Sequence, residues 1–142
     1  MRALVQRVSR AAVKVEGRTA ASIGPGLMVL LGVSVQDTAQ DAEWLAGKVR
    51  ALRIFDDADG RMNEPLGSRA TLCVSQFTLY GEARRGNRPS FVQAASGELA
   101  RPLYERFCEV LGCKRGVFGA VMSIEMVAQG PVTLLVESPG RR

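Results

Sequence analysis

Ser75, Gln76 and Thr78 are the residues that could do chemistry. They follow an apolar run, Leu72-Cys73-Val74, that reads as a buried strand. Three polar side chains then stand where a core strand would stay apolar. Burying such groups without partners costs roughly 1–3 kcal/mol each. The stretch Val74 to Gly81 is therefore either a strand end that opens onto a site or a satisfied internal network. The chain has no histidine, so no Ser-His-Asp or Cys-His pair and no histidine-ligated metal can be built. Electrostatic stabilisation of an oxyanion by backbone N–H groups near Gln76 and Phe77 is the natural source of rate that remains. A second chemical stretch runs from Glu82 to Phe91, with Arg84, Arg85, Arg88 and an aromatic ring. Arginine beside an aromatic suits phosphate contact and base stacking, although a flexible basic loop has the same composition.

The elements that must hold these residues read as follows. Ala3 to Val8 and Ala11 to Val15 read as two strands, and a turn at Glu16-Gly17-Arg18 leads into a third, Thr19 to Ile23. Leu27 to Val33 is continuously apolar and fits a central strand buried on both faces. Asp37 or Thr38 caps a first helix, with Ala42, Leu45, Val49 and Leu52 as its buried stripe and Trp44 at the core or its edge. The acidic turn Asp56 to Gly60 has Gly67 where a calcium loop needs its twelfth-position glutamate, so a solvated turn is the better reading. A strand from Ala70 to Leu79 follows. A second helix spans about Ser96 to Leu111, with Pro102 in its first turn or at a kink. Cys113 to Gly119 reads as a loop. Two strands, Val121 to Val127 and Val132 to Val136, are separated by Gln129-Gly130-Pro131.

Length and composition set the class. The 142 residues fit one domain, 1–142, with an ordinary soluble composition: 46% hydrophobic and 23% charged. No apolar run is long enough to span a bilayer, and the N-terminus lacks the pattern of a secretory signal, so a cytoplasmic location is expected. Net charge is +5, and only Lys14, Lys48 and Lys114 among the 19 basic residues are lysine. An arginine-rich basic chain suits nucleic acid, although biased composition gives the same balance. Cys73, Cys108 and Cys113 are odd in number, form no C-x-x-C and read as reduced structural thiols.

Taken together, Ser75-Gln76-Phe77-Thr78-Leu79 and Gly130-Pro131-Val132-Thr133 resemble the paired signatures of the D-aminoacyl-tRNA deacylase family. Leu4 to Val8, Arg53-Ile54-Phe55, Gly86 to Phe91 and Gly116 to Ala120 agree with it, and the likeness is collinear to about Val136. The resemblance implies an α+β fold with a twisted, barrel-like, antiparallel-rich sheet and two main helices. It implies a homodimer that hydrolyses the ester joining a D-amino acid, or glycine, to the terminal adenosine of tRNA. The family's Gly-Pro bond is cis and reaches into the partner's pocket, where its carbonyls exclude L side chains. Carried over, Gly130 and Pro131 reject L-amino acids, and Ser75, Gln76, Phe77 and Thr78 line the pocket. Phe77 stacks on the terminal adenine and Arg7 helps hold the Gly-Pro carbonyls. Arg84, Arg85, Arg88 and Phe91 meet the tRNA. Thr78 positions groups, and the substrate's 2′-hydroxyl takes part. No metal or cofactor is called for, and neither DNA nor membrane is an expected partner.

Three rival readings differ in kind. A non-catalytic RNA-binding dimer keeps the basic loop but leaves the two polar motifs without a role. An amidase using Ser75 or Thr78 lacks any histidine or lysine near those motifs. A purely structural dimer would bind aminoacyl-tRNA without turnover.

Overall fold

The computed structural model describes residues 1–140. Its longest strands are two neighbours in the same sheet. Strand β1 (Arg2–Val15) is the spine. On one edge it pairs antiparallel with β3 (Gly26–Gly32) through its first half and with β2 (Arg18–Ile23) through its second. On the other edge β8 (Ser123–Glu137) runs antiparallel along nearly its whole length. The sequence reading divides β1 at Ser9-Arg10, and the structure does not. These two residues sit where β1 changes partner, from the Val8 pairing with Gly26 to the Ala11 pairing with Ile23. The polar pair marks a handover between neighbours, not a turn.

Beyond β3 the sheet continues through β6 (Ala70–Ser75) and β7 (Lys114–Arg115), both joined in parallel. The sheet is therefore mixed, and β7 lies inside the stretch expected to be loop. Strands β2 and β7 stand at opposite ends of the strand order, yet the Lys114 ammonium donates to the Ser22 carbonyl at 2.8 Å. The sheet curls far enough to bring its ends together, which makes it a nearly closed barrel. Val13, Met28, Leu72 and Val74 fill its interior. A small hairpin, β4 (Phe55–Asp56) with β5 (Met62–Glu64), lies apart. Its acidic turn is held by Asp57, whose carboxylate accepts from the Asp59 and Arg61 N–H groups.

Helices α1 (Ala39–Ala51) and α2 (Gly97–Leu111) cover the other face of the sheet. Thr38 and Asp41 form a reciprocal capping box at the start of α1. Ala42, Leu45, Ala46 and Val49 are fully buried, while Trp44 is 42% exposed and stands on the surface, outside the core. Ser96 caps α2, and a left-handed Gly112 ends it. Pro102 lies inside the helix, past its first turn. Phe107 and Leu111 are completely buried, each contributing roughly 1.5–3 kcal/mol. No helix among the described residues is long and apolar enough to cross a membrane.

Candidate active site

Strand β6 stops at Ser75, four residues earlier than its apolar pattern suggests. The Gln76 N–H still donates to the Leu31 carbonyl at 2.8 Å, the last ladder bond. The chain then tightens into a 3₁₀ turn over Phe77–Tyr80, closed by Leu79 N–H to Gln76 C=O and Gly81 N–H to Thr78 C=O. The first N–H groups of such a turn have no partner within it. Those of Phe77 and Thr78 have no protein acceptor among the described residues. The free backbone N–H groups near Gln76 and Phe77 are those of Phe77 and Thr78. Gln76 spends its N–H on the sheet, and Phe77 and Thr78 present theirs. The Gln76 side-chain amide donates to the Thr78 hydroxyl, fixing both side chains beside the exposed amides.

Three anchors hold the turn. The Arg2 guanidinium donates to the Leu79 carbonyl at 2.9 Å, pairs with Glu137 at 2.7 Å and lies over the Tyr80 ring. Burial pushes the Tyr80 hydroxyl up to about 12, so it stays protonated at neutral pH. The third anchor is the absence of a side chain at Gly32. A Cβ there would lie 3.0 Å from the Leu79 Cβ and 3.2 Å from the Gln76 carbonyl oxygen. Gly32→Val is expected to push the turn outward, at a cost of about 1–3 kcal/mol in stability. Its kcat should fall at least about tenfold in a chain that circular dichroism reports as folded, because the N–H groups lose their aim. A folded variant with unchanged kcat would show that the position of the turn does not set the rate.

Beside the turn lies a cavity of about 220 Å³. Ser75 and Phe77 line it from the strand end, Ala95, Gly97 and Ala100 from the start of α2, and Phe118 and Gly119 from the opposite wall. The α2 residues escape motif reading because their contribution is lack of bulk. The one signal was Phe118 between glycines, in a stretch singled out only for its likeness. Phe118 packs on Tyr104 with ring centroids 5.5 Å apart, which fixes that wall. Phe77 is 54% exposed, and its ring stands T-shaped to that of Phe91 with centroids 5.0 Å apart.

Phe91 belongs to the basic loop, which is closed by reciprocal backbone bonds between Glu82 and Ser90. Arg84 is exposed and pairs with an acidic neighbour. It grips Glu82 through two guanidinium contacts and its own N–H, and holds that carboxyl down at about 2. Both groups are exposed, so the ion pair adds little to stability. Arg85 and Arg88 are exposed and have no acidic partner among the described residues.

Gly130 and Pro131 lie elsewhere. Their peptide bond is cis and Gly130 has φ +121°. The segment remains within β8, where the register against β1 slips between Gln6 and Val8; the two late strands of the sequence reading are one. Arg7 holds this segment through a neighbouring carbonyl. Its Nε donates to Gln129 C=O at 3.0 Å, and the same guanidinium reaches Ile54 C=O and Asp56. The Gly-Pro carbonyls themselves receive no bond from it among the described residues. Across the sheet, Ser75 is level with Leu31 and Ala3, whereas Gly130 is level with Arg7. Four residues along the strands and three strand spacings across separate the two motifs by roughly 20 Å measured over the sheet.

A family model described as D-Tyr-tRNA(Tyr) deacylase matches residues 4–137. The chain belongs to this family. It is 53% identical to a D-aminoacyl-tRNA deacylase of Myxococcus xanthus, over 99% of this chain and 96% of the relative. It is 54% identical to one of Desulfatibacillum aliphaticivorans, over 97% of this chain and 99% of the relative. Among solved structures, the c-Myc DNA unwinding element binding protein superposes with a TM-score of 0.93 at 40% identity, over 99% of this chain and 100% of that one. A probable eukaryotic D-amino acid tRNA deacylase superposes with a TM-score of 0.82 at 17% identity, which shows a shared fold. That match covers 96% of this chain and 98% of the other. The D-Tyr-tRNA(Tyr) deacylase family match spans both motifs, the 3₁₀ turn and the segment Arg7 holds.

Proposed function

We propose that this protein hydrolyses the ester of D-aminoacyl-tRNA, and of glycyl-tRNA, as a homodimer in which each subunit completes the other's pocket. The observation that carries this reading is the pair of N–H groups at Phe77 and Thr78 without a protein acceptor among the described residues, next to a small cavity that Phe77 lines, in a chain of this family. An aminoacyl ester is already activated, so stabilising the oxyanion is the main task. The carbonyl oxygen of the ester accepts from the two amides while water, assisted by the 2′-hydroxyl of the terminal ribose, attacks the carbon. Only RNA offers that hydroxyl. Thr78 holds the geometry through its contact with Gln76. Phe77 offers its exposed ring to the terminal adenine, and Arg84, Arg85, Arg88 and Phe91 meet the tRNA alongside.

Two features support the dimer. Strand β8 uses one edge for β1 and leaves the other unpaired among the described residues. It also exposes Met126, Val127, Leu134 and Leu135. A long, apolar, unpaired edge strand is a pairing surface. The second feature is the roughly 20 Å over the sheet between Gly130-Pro131 and the cavity, a span that a second copy could remove. In that arrangement the partner's Gly-Pro main chain stands against the substrate's alpha carbon. An L side chain would strike it, and glycine or a D side chain would not.

The deciding experiment charges tRNA with D- and L-tyrosine and follows release of the free amino acid. Rapid release of D-tyrosine with L-tyrosine retained is expected. Binding of both without release would favour an RNA-binding protein instead. Thr78→Ala is expected to keep turnover within about tenfold of the parent, as loss of one positioning hydrogen bond predicts. Abolished turnover together with a trapped acyl-Thr78 ester would make that residue the nucleophile.

A further inference from the structure

Cys73, Cys108 and Cys113 have no part in the ester chemistry, and nothing in their sequence spacing joins them. The fold does. Cys73 lies on β6, Cys108 near the end of α2, and Cys113 just past Gly112. The left-handed turn at Gly112 folds the chain back, so that the Cys113 N–H donates to the Cys108 carbonyl at 3.2 Å. All three are free thiols, and their sulfurs lie within 4.8 Å of one another. Cys73 and Cys108 are buried, while Cys113 is partly exposed and gives the cluster a side open to water.

This geometry fits coordination. Thiolates around a tetrahedral zinc ion bind at about 2.3 Å and stand about 3.8 Å apart, so each sulfur need move by no more than about 1 Å. Three thiolates on a divalent ion leave one net negative charge, and Arg115 is the cation whose charge acts on Cys108 and Cys113. No carboxylate joins the cluster among the described residues, and soft sulfur ligands select thiophilic ions over magnesium or calcium. The Tyr104 hydroxyl and the Gly116 N–H, at 3.0 Å each, fix the Cys73 carbonyl and thus the strand that carries the first ligand.

We propose that Cys73, Cys108 and Cys113 form a three-thiolate site for a divalent thiophilic cation of the Zn(II) and Cd(II) class, with water as the fourth ligand on the Cys113 side. Each thiol gives its proton to solvent on binding. The site ties together β6, α2 and the segment leading to Phe118, and all three supply walls of the cavity beside Ser75. An ion there clamps the scaffold of the pocket from behind without touching substrate.

The test uses the full chain, reduced and stripped of metal, titrated with Cd(II). One equivalent per chain is expected, with an ultraviolet sulfur-to-cadmium charge-transfer band and a rise in Tm; Cd(II) should also displace Zn(II) loaded beforehand. Cys113→Ser, at the partly exposed position, should keep the fold by circular dichroism yet weaken binding at least about tenfold, as should Cys108→Ala. Bound Cd(II) should also protect Cys113 of the parent chain from alkylation. No band and no protection in the folded, reduced parent would overturn the proposal, as would undiminished affinity in folded Cys113→Ser. The deacylation assay is not needed for either result, so this site stands or falls apart from the proposed activity.

Discussion

Replacing Phe77 by alanine is expected to lower kcat/KM on D-aminoacyl-tRNA roughly five- to hundredfold while Tm changes little. The ring is 54% exposed and its one aromatic contact is the T-shaped one with Phe91, so the fold loses almost nothing. The substrate loses more. Stacking of a base on an aromatic ring is worth about 1–3 kcal/mol, and each 1.36 kcal/mol is about tenfold in rate. The loss should fall mainly in KM, because adenine stacking is made equally in the ground and transition states. Phe77→Tyr, which keeps the ring, should restore most of it. Steady-state kinetics on charged tRNA, with thermal unfolding of the same samples, checks both parts. An unchanged kcat/KM for the alanine variant would remove Phe77 from the substrate site.

Leu135→Glu is expected to give a folded monomer that no longer distinguishes D from L. Leu135 is 54% exposed on β8, whereas Val132 and Val136 on the same strand pack into the core. A carboxylate at Leu135 stays solvated in the single chain and is desolvated only if a second copy covers the strand. Analytical ultracentrifugation should therefore show a halved mass with unchanged circular dichroism. If a rigid main-chain wall from the partner rejects L side chains, the monomer lacks that wall. A steric clash worth about 1–3 kcal/mol per overpacked contact corresponds to a D-to-L ratio of kcat/KM that falls at least about tenfold. A monomer that kept the full ratio would place chiral selection within one chain. A variant that stayed dimeric would move the interface away from β8.

The amino-acid order alone determined a good deal. The apolar run Leu27 to Val33 became β3, the central strand buried on both sides, because nothing polar interrupts it. Ser96 and Gly112 bracket α2 as a cap and a left-handed stop should. The lack of histidine excluded imidazole chemistry before any coordinate was known. These features depend on neighbours within a few residues, where local preference and periodicity speak directly.

The remainder depended on partners distant in sequence. β6 ends at Ser75 because Leu31 offers the last ladder carbonyl to Gln76 and Gly32 leaves room for a turn to tuck in. That decided which amides are free: Gln76 spends its N–H on the sheet, and those of Phe77 and Thr78 stay without a protein acceptor among the described residues. The resemblance pointed to Arg7, but only the tertiary structure showed that its guanidinium spans Gln129, Ile54 and Asp56. Ala95, Gly97 and Ala100 matter for what they leave empty, which a residue type cannot announce. The three cysteines are 35 and 5 positions apart, and only the return of the chain at Gly112 brings their sulfurs together. Local order chooses the elements, but the free groups, the empty space and the clustered sulfurs are set by which strands and helices meet.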